Sequence, residues 1–335
     1  MSDNIKKQEM YYWVERLGVS LTPTRSELDM LYLNQLKIID LMPEMLVMVR
    51  SVVAKETFSI RRKPITAFEN GISISFQNII NSPSKIAVKD KQVLQQTQPH
   101  VRIIPLHVES DVSFPKDINI QQVTIIVSLD YLKNFIGKDH IKFDYLFNNE
   151  KTLWIEEFMS PEIAEVANDI SITKIPDTLS DAYYKLKSLE LLFYLFKNLS
   201  RRTNVTHQHL SKYELESVYN VRDKIAASID KPFIQEELVK LSGMNVIKLR
   251  KLFTQVFGKG MYPYYQHVRM QEAARLLREE HLSVSEVGYQ LGFSNLSYFG
   301  RLFERHLGCK PKKWTQNNMN RYKNSDTNKE YSQIQ

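Results

Sequence analysis

Ten side chains in the last third of the sequence carry the most recognisable chemistry: Asn245, Ile247, Lys248, Arg250 and Lys251, then Asn295, Ser297 and Arg301, then Lys312 and Lys313. Guanidinium and amide groups are the ones that read base edges. Arginine grips guanine O6 and N7 through two bonds, asparagine meets adenine, and an aliphatic side chain such as Ile247 lies against a thymine methyl. Lysine lacks that directional fork and serves as a contact to phosphate, the role expected of Lys312 and Lys313 just after Pro311. Arg301 and Ser297 are expected to face one groove, and Ile247, Lys248, Arg250 and Lys251 another. Asn245 and Asn295 begin the two helices concerned, where amides and backbone N–H groups can meet phosphates or adenine edges.

Other chemistries find no constellation. No glycine pattern forms a phosphate-binding loop, and Gly258-Lys259-Gly260 is followed by Pro263 where a dinucleotide fingerprint needs glycine. There is no His-Glu-x-x-His. His100, His107 and Glu109 have the wrong spacing for a barrel metal centre, and His207 with His209 lacks a third ligand nearby. Glu156 and Glu157 are sequence neighbours, whose side chains would diverge on a helix, so they do not read as an acid–base pair. Cys309, the single cysteine, reads as a packing residue and excludes an internal disulfide framework. No enzymatic activity, cofactor or metal is expected.

The ten residues are set out by a duplication. Gln235–Gly258 and Ser285–Gly308 are two versions of one unit: Glu237 and Gly243 recur as Glu286 and Gly292, and Leu249, Leu252, Phe253 and Gly258 as Phe299, Leu302, Phe303 and Gly308. Each copy reads as a short helix, a glycine turn and a second helix. In the second helices the apolar residues fall at helical spacing on one side. Ile247, Arg250, Lys251 and Thr254 gather on the opposite side in the first copy, and Ser297, Gly300, Arg301 and Glu304 in the second. That is the layout of a helix-turn-helix, in which one helix supports another that enters a DNA major groove. The two motifs are expected over 234–257 and 283–307.

The segment resembles the DNA-binding domain of AraC/XylS-type regulators over 218–318. Copy two carries Gly292-Phe293-Ser294, Ser297-Tyr298-Phe299, Arg301, Phe303, Gly308-Cys309-Lys310-Pro311 and Trp314; Tyr265, Arg269, Ala273 and Leu276-Leu277 match the family's connecting helix. Ile234 replaces the usual Ser or Thr cap, which costs about 1 kcal/mol, and Gly288 replaces the usual alanine at a similar cost of about 1 kcal/mol. Ser283 and Glu286 form a capping box. The resemblance implies that Arg301 and Lys251 contact bases or backbone. It also implies a ligand-responsive transcriptional regulator, an activator in preference to a repressor, that works as a homodimer with RNA polymerase and a small-molecule effector.

Charge points the same way. Residues 1–210 hold 25 Lys+Arg and 25 Asp+Glu, whereas residues 211–335 hold 20 and 13 and so carry the whole net charge of +7. A basic segment attached to a neutral one implies a nucleic-acid partner for the basic part. No apolar run of about 18 residues exists, so no membrane span is expected. MSDNIKKQEM has no apolar region of the kind a signal peptide needs, and a cytoplasmic location is expected.

Upstream, the chain is expected to be multi-domain α+β. Residues 1–36 read as an N-terminal extension or arm, with helical spacing at Glu9–Leu17 and Glu27–Leu36. Residues 37–175 read as an antiparallel β domain, a small barrel or sandwich with proline-punctuated strands at Leu46–Val49, Thr57–Ile60, Ile72–Phe76, Lys85–Lys89, His100–Val108 and Val123–Leu129, and helices after Leu129 and Ser160. In the resembling family such a region is a cupin-like effector-sensing domain. Residues 176–202 should form an amphipathic helix with Tyr183, Leu186, Leu189, Phe193 and Phe196 on one stripe, widened by Leu192, which either pairs two protomers or packs on its own barrel. Residues 203–217 are the expected linker and 319–335 a disordered tail. Two alternatives stand beside a sequence-specific regulator reading two successive major grooves: a barrel enzyme or metal-binding cupin fused to a DNA-binding domain, and a protein that coats DNA without an effector.

Overall fold

The structure is a computed structural model that describes residues 29–42, 44–66, 68, 70–78, 100–147, 153–172, 176–202 and 207–316. The expected strand at Lys85–Lys89, the tail at 319–335, most of the N-terminal arm and the start of the linker lie outside the described residues. The chain divides into two compact units, 1–215 with 254–258, and 216–253 with 259–335.

The first unit is built on a six-stranded antiparallel sheet of order β1-β2-β7-β4-β5-β8. Its strands are β1 (Leu31–Met42), β2 (Met45–Ala54), β4 (Gly71–Gln77), β5 (His100–Pro105), β7 (Asn119–Ser128) and β8 (Ile155–Phe158). A separate two-stranded ribbon pairs β3 (Phe58–Arg62) with β6 (Ser110–Phe114). Side chains alternate along a strand, so one sheet face carries Val47, Val49, Ile72, Ile74, Val123 and Ile125. Helices α2 (Pro161–Ile172) and α3 (Asp177–Leu199) cover it with Ile163, Val166, Leu191 and Leu195. The helix α1 (Leu129–Ile136) is capped by Ser128, whose hydroxyl accepts from the Tyr131 N–H at 3.1 Å.

Three expectations need correction here. Leu31–Leu36, assigned helical spacing within the arm, is the first half of β1, which crosses the expected boundary at residue 36 without a break. Leu33 and Leu36 satisfy a helical period, but pairing with β2 puts Leu31 and Leu33 into a small core with Val52, Ala54 and Phe114. Strands β6 and β8 and helix α4 (Lys212–Ala227), which begins inside the expected linker and runs into the expected DNA-binding domain, were not anticipated. The apolar stripe on α3 is divided. Leu192 and Phe196 are buried with Tyr184, Leu191 and Leu195, whereas Leu186 and Phe193 are 69% and 59% exposed. The helix has two apolar faces, and the sheet takes the one centred on Ser188 and Leu191. Among the described residues no helix is long and apolar enough to cross a membrane.

Candidate nucleic-acid interface

The second unit is helical. After α4 come α5 (Gln235–Ser242) and α6 (Val246–Phe257), the long α7 (Met261–Glu279), then α8 (Val284–Gln290) and α9 (Leu296–Leu307). The two short–long pairs are the two copies read from the sequence. Gly243 at φ 65° and Gly292 at φ 75° make the turns, in the left-handed region where glycine carries no Cβ penalty.

Asparagine starts each reading helix. Asn245 Oδ1 accepts from the Lys248 N–H at 2.9 Å, and Asn295 Oδ1 from the Tyr298 N–H at 3.0 Å. These are N-caps, each satisfying a donor the helix cannot. Capping occupies the acceptor, so the two-bond adenine contact open to a free asparagine would dismantle the cap. The amide NH2 remains for phosphate. Ile234 does begin α5 without a side-chain cap, and Ser283 with Glu286 forms both bonds of the capping box, at 2.8 and 3.3 Å.

In α6 the buried side is Leu249, Leu252, Phe253 and Val256. Opposite them Ile247 is 78% exposed, Lys248 and Arg250 are exposed and Lys251 is half-buried. Thr254, placed with them by spacing, is buried within the segment 254–258 that belongs to the first unit. Arg250 donates through Nη2 to Gln235 Oε1 at the start of α5. In α9 Phe299, Leu302 and Phe303 are buried, and Ser297, Arg301, Glu304 and Arg305 are exposed opposite them. Arg301 has no ion-pair partner among the described residues. Lys312 and Lys313 are exposed just past α9, and Pro311 is buried beneath them. Two residues of this face were not singled out from the sequence. Tyr298 is 44% exposed with its ring 6.2 Å from Phe293, and Arg305 lies one turn beyond Arg301. Their signal is positional only, a spacing of three and four residues from Arg301.

The relative placement of the reading helices is set by contacts that converge on α7. Nineteen residues make this helix about 28 Å long at 1.5 Å per residue. Tyr265 on it donates from its hydroxyl to Ile229 O, ahead of the first motif, at 3.3 Å. One turn on, Arg269 donates from Nη2 to Leu291 O in the turn of the second motif. Its guanidinium lies 3.8 Å from the centre of the Phe293 ring, and burial lowers its pKa from the usual arginine value. Trp314 Nε1 donates to Ala274 O at 3.3 Å, and its indole packs edge-on against Phe303, 6.2 Å between centroids. His267 on α7 is buried beside His306 on α9, 5.6 Å between rings, and burial holds its imidazole well below the usual range. It is therefore a neutral packing group at neutral pH. Gly292 is also wedged against the loop before α5, since a Cβ there would sit 2.0 Å from Asp230 O. One helix and its neighbouring loop thus hold both motifs.

The remaining candidates separate. His207 stacks on Tyr145, 4.3 Å between ring centres, and His100 lies 3.6 Å from Glu156 across β5 and β8. Among the described residues no group of three His, Cys, Asp or Glu could hold a metal ion.

Paired helix-turn-helix motifs presenting cationic outer faces from one rigid helix define a DNA-binding domain of tandem type. The match to a helix-turn-helix domain family over residues 238–317, together with regulators that share this region, makes the C-terminal region an AraC-type helix-turn-helix domain. It is 32% identical over 91 residues to the HTH-type transcriptional regulator GlxA of Rhizobium meliloti, covering 27% of this chain and 28% of that one. Over 126 residues it is 29% identical to the HTH-type transcriptional activator RhaR of Escherichia coli K12, covering 37% and 45%. The chain therefore spans less than half the length of these curated relatives. Among solved structures, a probable AraC family transcriptional regulator from Rhodopseudomonas palustris is similar at 28% identity, over 31% of this chain and 97% of that one. Its TM-score is 0.29, too slight a likeness to argue from.

Proposed function

We propose that this chain is a sequence-specific transcriptional regulator that reads two successive major grooves with α6 and α9. The supporting observation is the pair of outward cationic faces held on α7 by Tyr265 and Arg269. Successive grooves lie about 34 Å apart on one side of a duplex, and a yoke about 28 Å long is of that order. Arg250 and Arg301 read guanine edges, Ile247 meets a thymine methyl, Asn245 and Asn295 donate to phosphate beside Lys248 and Lys251, and Lys312 and Lys313 clamp the backbone.

On the same reading, the N-terminal unit is a cupin-like effector sensor, and the protein acts in the cytoplasm as a homodimeric, ligand-responsive activator that engages RNA polymerase. The similarity to RhaR, a transcriptional activator, supports the sign. The exposed Leu179, Leu186 and Phe193, seven residues apart on α3, support pairing of two protomers through that helix.

Selection of duplexes from a random pool by the full chain should return one sequence class, and footprinting on it should protect two adjacent turns. Broad protection without preference would leave a coating protein instead. On the selected site, Arg301→Ala is expected to weaken binding by about 1–3 kcal/mol and to relax base preference at one position. Unchanged affinity and preference would remove α9 from the reading surface. Lys312→Ala should weaken binding to every sequence alike and reduce the slope of log affinity against log salt by about 1. An unchanged slope would take Lys312 off the phosphate.

A further inference from the structure

The sheet of the N-terminal unit has a second face, and its middle is not apolar. Arg50, Gln122, Gln77 and His100 stand opposite one another on β2, β7, β4 and β5, and Thr124, Ser75, Arg102 and Glu156 form the next row, two residues along. Residues two apart on a strand share a face, so both rows look the same way. Apolar residues close the two ends, Leu106 and Ile126 at one and Val52 and Phe114 at the other.

Hydrogen bonds run across it: Arg50 Nε donates to Gln122 Oε1 at 2.9 Å, Gln122 Nε2 to Thr124 Oγ1 at 2.8 Å, and Thr124 lies 3.3 Å from Ser75 Oγ. Arg102 Nε donates to Glu156 Oε1 at 2.7 Å. The β3–β6 ribbon adds a third guanidinium. Arg62 Nε donates to Ser110 Oγ at 2.9 Å and Nη2 to Val108 O at 2.7 Å, while its buried Nη1 has no partner among the described residues.

Neither Arg50 nor Arg62 is paired with a carboxylate among the described residues. Burial pushes both guanidiniums down to about 10, and for Arg62 the positive charge of Arg102 adds to the effect. Both residues are half-buried, and a cation drawn partly out of water without a counter-charge is costly to keep for packing alone. Tying β6 to β3 explains two nitrogens of Arg62 but not the third. A fork with one nitrogen spare, near enough to Arg102 to feel its positive charge, is the donor arrangement that carboxylates and phosphates accept.

We propose that this face is the effector site and that the effector is a small organic anion whose carboxylate or phosphate sits on Arg62 Nη1 beside Arg102. The inference rests on the effector-sensing reading above and assigns that site its residues and ligand class. The surrounding Ser75, Thr124 and Gln122 would orient the rest of a polar molecule, and the apolar ends would take a hydrocarbon part.

Thermal denaturation of the full chain at constant ionic strength, with sodium acetate in one arm and inorganic phosphate in the other, tests this. At least one anion should raise the midpoint in a saturable way, and the responding arm identifies the headgroup. Arg62→Met should abolish the shift. Arg61→Gln, the outward neighbour paired with Asp111, and Arg301→Ala on the reading helix should keep it. Should the Met variant fail to fold, Arg62→Lys, which keeps the charge and loses the fork, should cut apparent affinity several-fold. The proposal is overturned if neither anion shifts the wild type, or if Arg62→Met or, where that fails to fold, Arg62→Lys responds as the wild type does. Operator binding is measured on the same preparations. No anion response in the wild type with intact operator binding sinks this proposal alone, whereas an anion response without operator preference sinks the regulatory reading alone.

Discussion

Gly292→Ala is expected to destabilise the C-terminal unit by about 3–5 kcal/mol, through two effects that add. At φ 75° the residue is left-handed, a conformation that costs an alanine about 1–2 kcal/mol. The new Cβ would also stand 2.0 Å from Asp230 O and 3.0 Å from Asp230 C, and both are backbone atoms that no rotamer change can move away. The turn of the second motif and the loop ahead of the first must therefore separate. Gly308→Ala is the internal control. Its φ is 77°, but nothing lies within 4 Å of the added Cβ, so it should show only the conformational cost of about 1–2 kcal/mol. Urea denaturation of the full chains, followed by helical circular dichroism, compares the two midpoints. Equal losses would mean that the Asp230 contact does not exist in solution.

The same pair of glycines shows what a sequence makes legible. Both recur from the first copy, and a turn was expected at Gly292, but nothing in the residue pattern says that one backs onto another loop and the other onto open space. Gly288 is a second instance. Read as an imperfect helix residue, it lies where a Cβ would come 2.5 Å from Leu296 Cδ2, so a side chain of the reading helix fills the space that alanine would use. Local rules were enough for the tandem motifs because the four helices there are short and one-sided, and all but α5 begin at a capping side chain. Those rules failed wherever a partner distant in sequence decides the outcome. Leu31–Leu36 has apolar spacing that fits a helix and becomes a strand because β2 is beside it. Thr254 lies on the outward side of α6 and is buried all the same. Arg50, Arg62 and Arg102 interrupt strand-like runs, where a charged residue reads as a solvent-facing position. Only the register of β2, β7, β4 and β5 brings Arg50 and Arg102 to one face, and the separate β3–β6 ribbon brings Arg62 within reach of the Arg102 charge.

Arg269 joins stability to recognition, and Arg269→Ala is expected to cost about 2–4 kcal/mol of stability. The side chain is 6% exposed and has no ion pair among the described residues, so its removal also relieves the cost of burying a charge. Three losses outweigh that relief. The Leu291 carbonyl, in the turn of the second motif, loses a charge-assisted bond worth about 1.5–3 kcal/mol. The Phe293 ring loses a cation 3.8 Å from its centre, worth about 1–2 kcal/mol when desolvated. The space vacated beside Tyr265 remains as a cavity. Arg269→Met separates these contributions by refilling most of the volume and leaving no buried charge. It should recover much of the stability but not the bond that fixes the turn before α9. Operator affinity should therefore stay depressed in the Met variant by a larger factor than affinity for random duplex, because a displaced α9 misaligns Ser297 and Arg301 while Lys312 and Lys313 still reach phosphate. Recovery of stability together with full operator preference would show that Arg269 only packs. A persistent loss of preference would place the register of the second reading helix in a single hydrogen bond from α7.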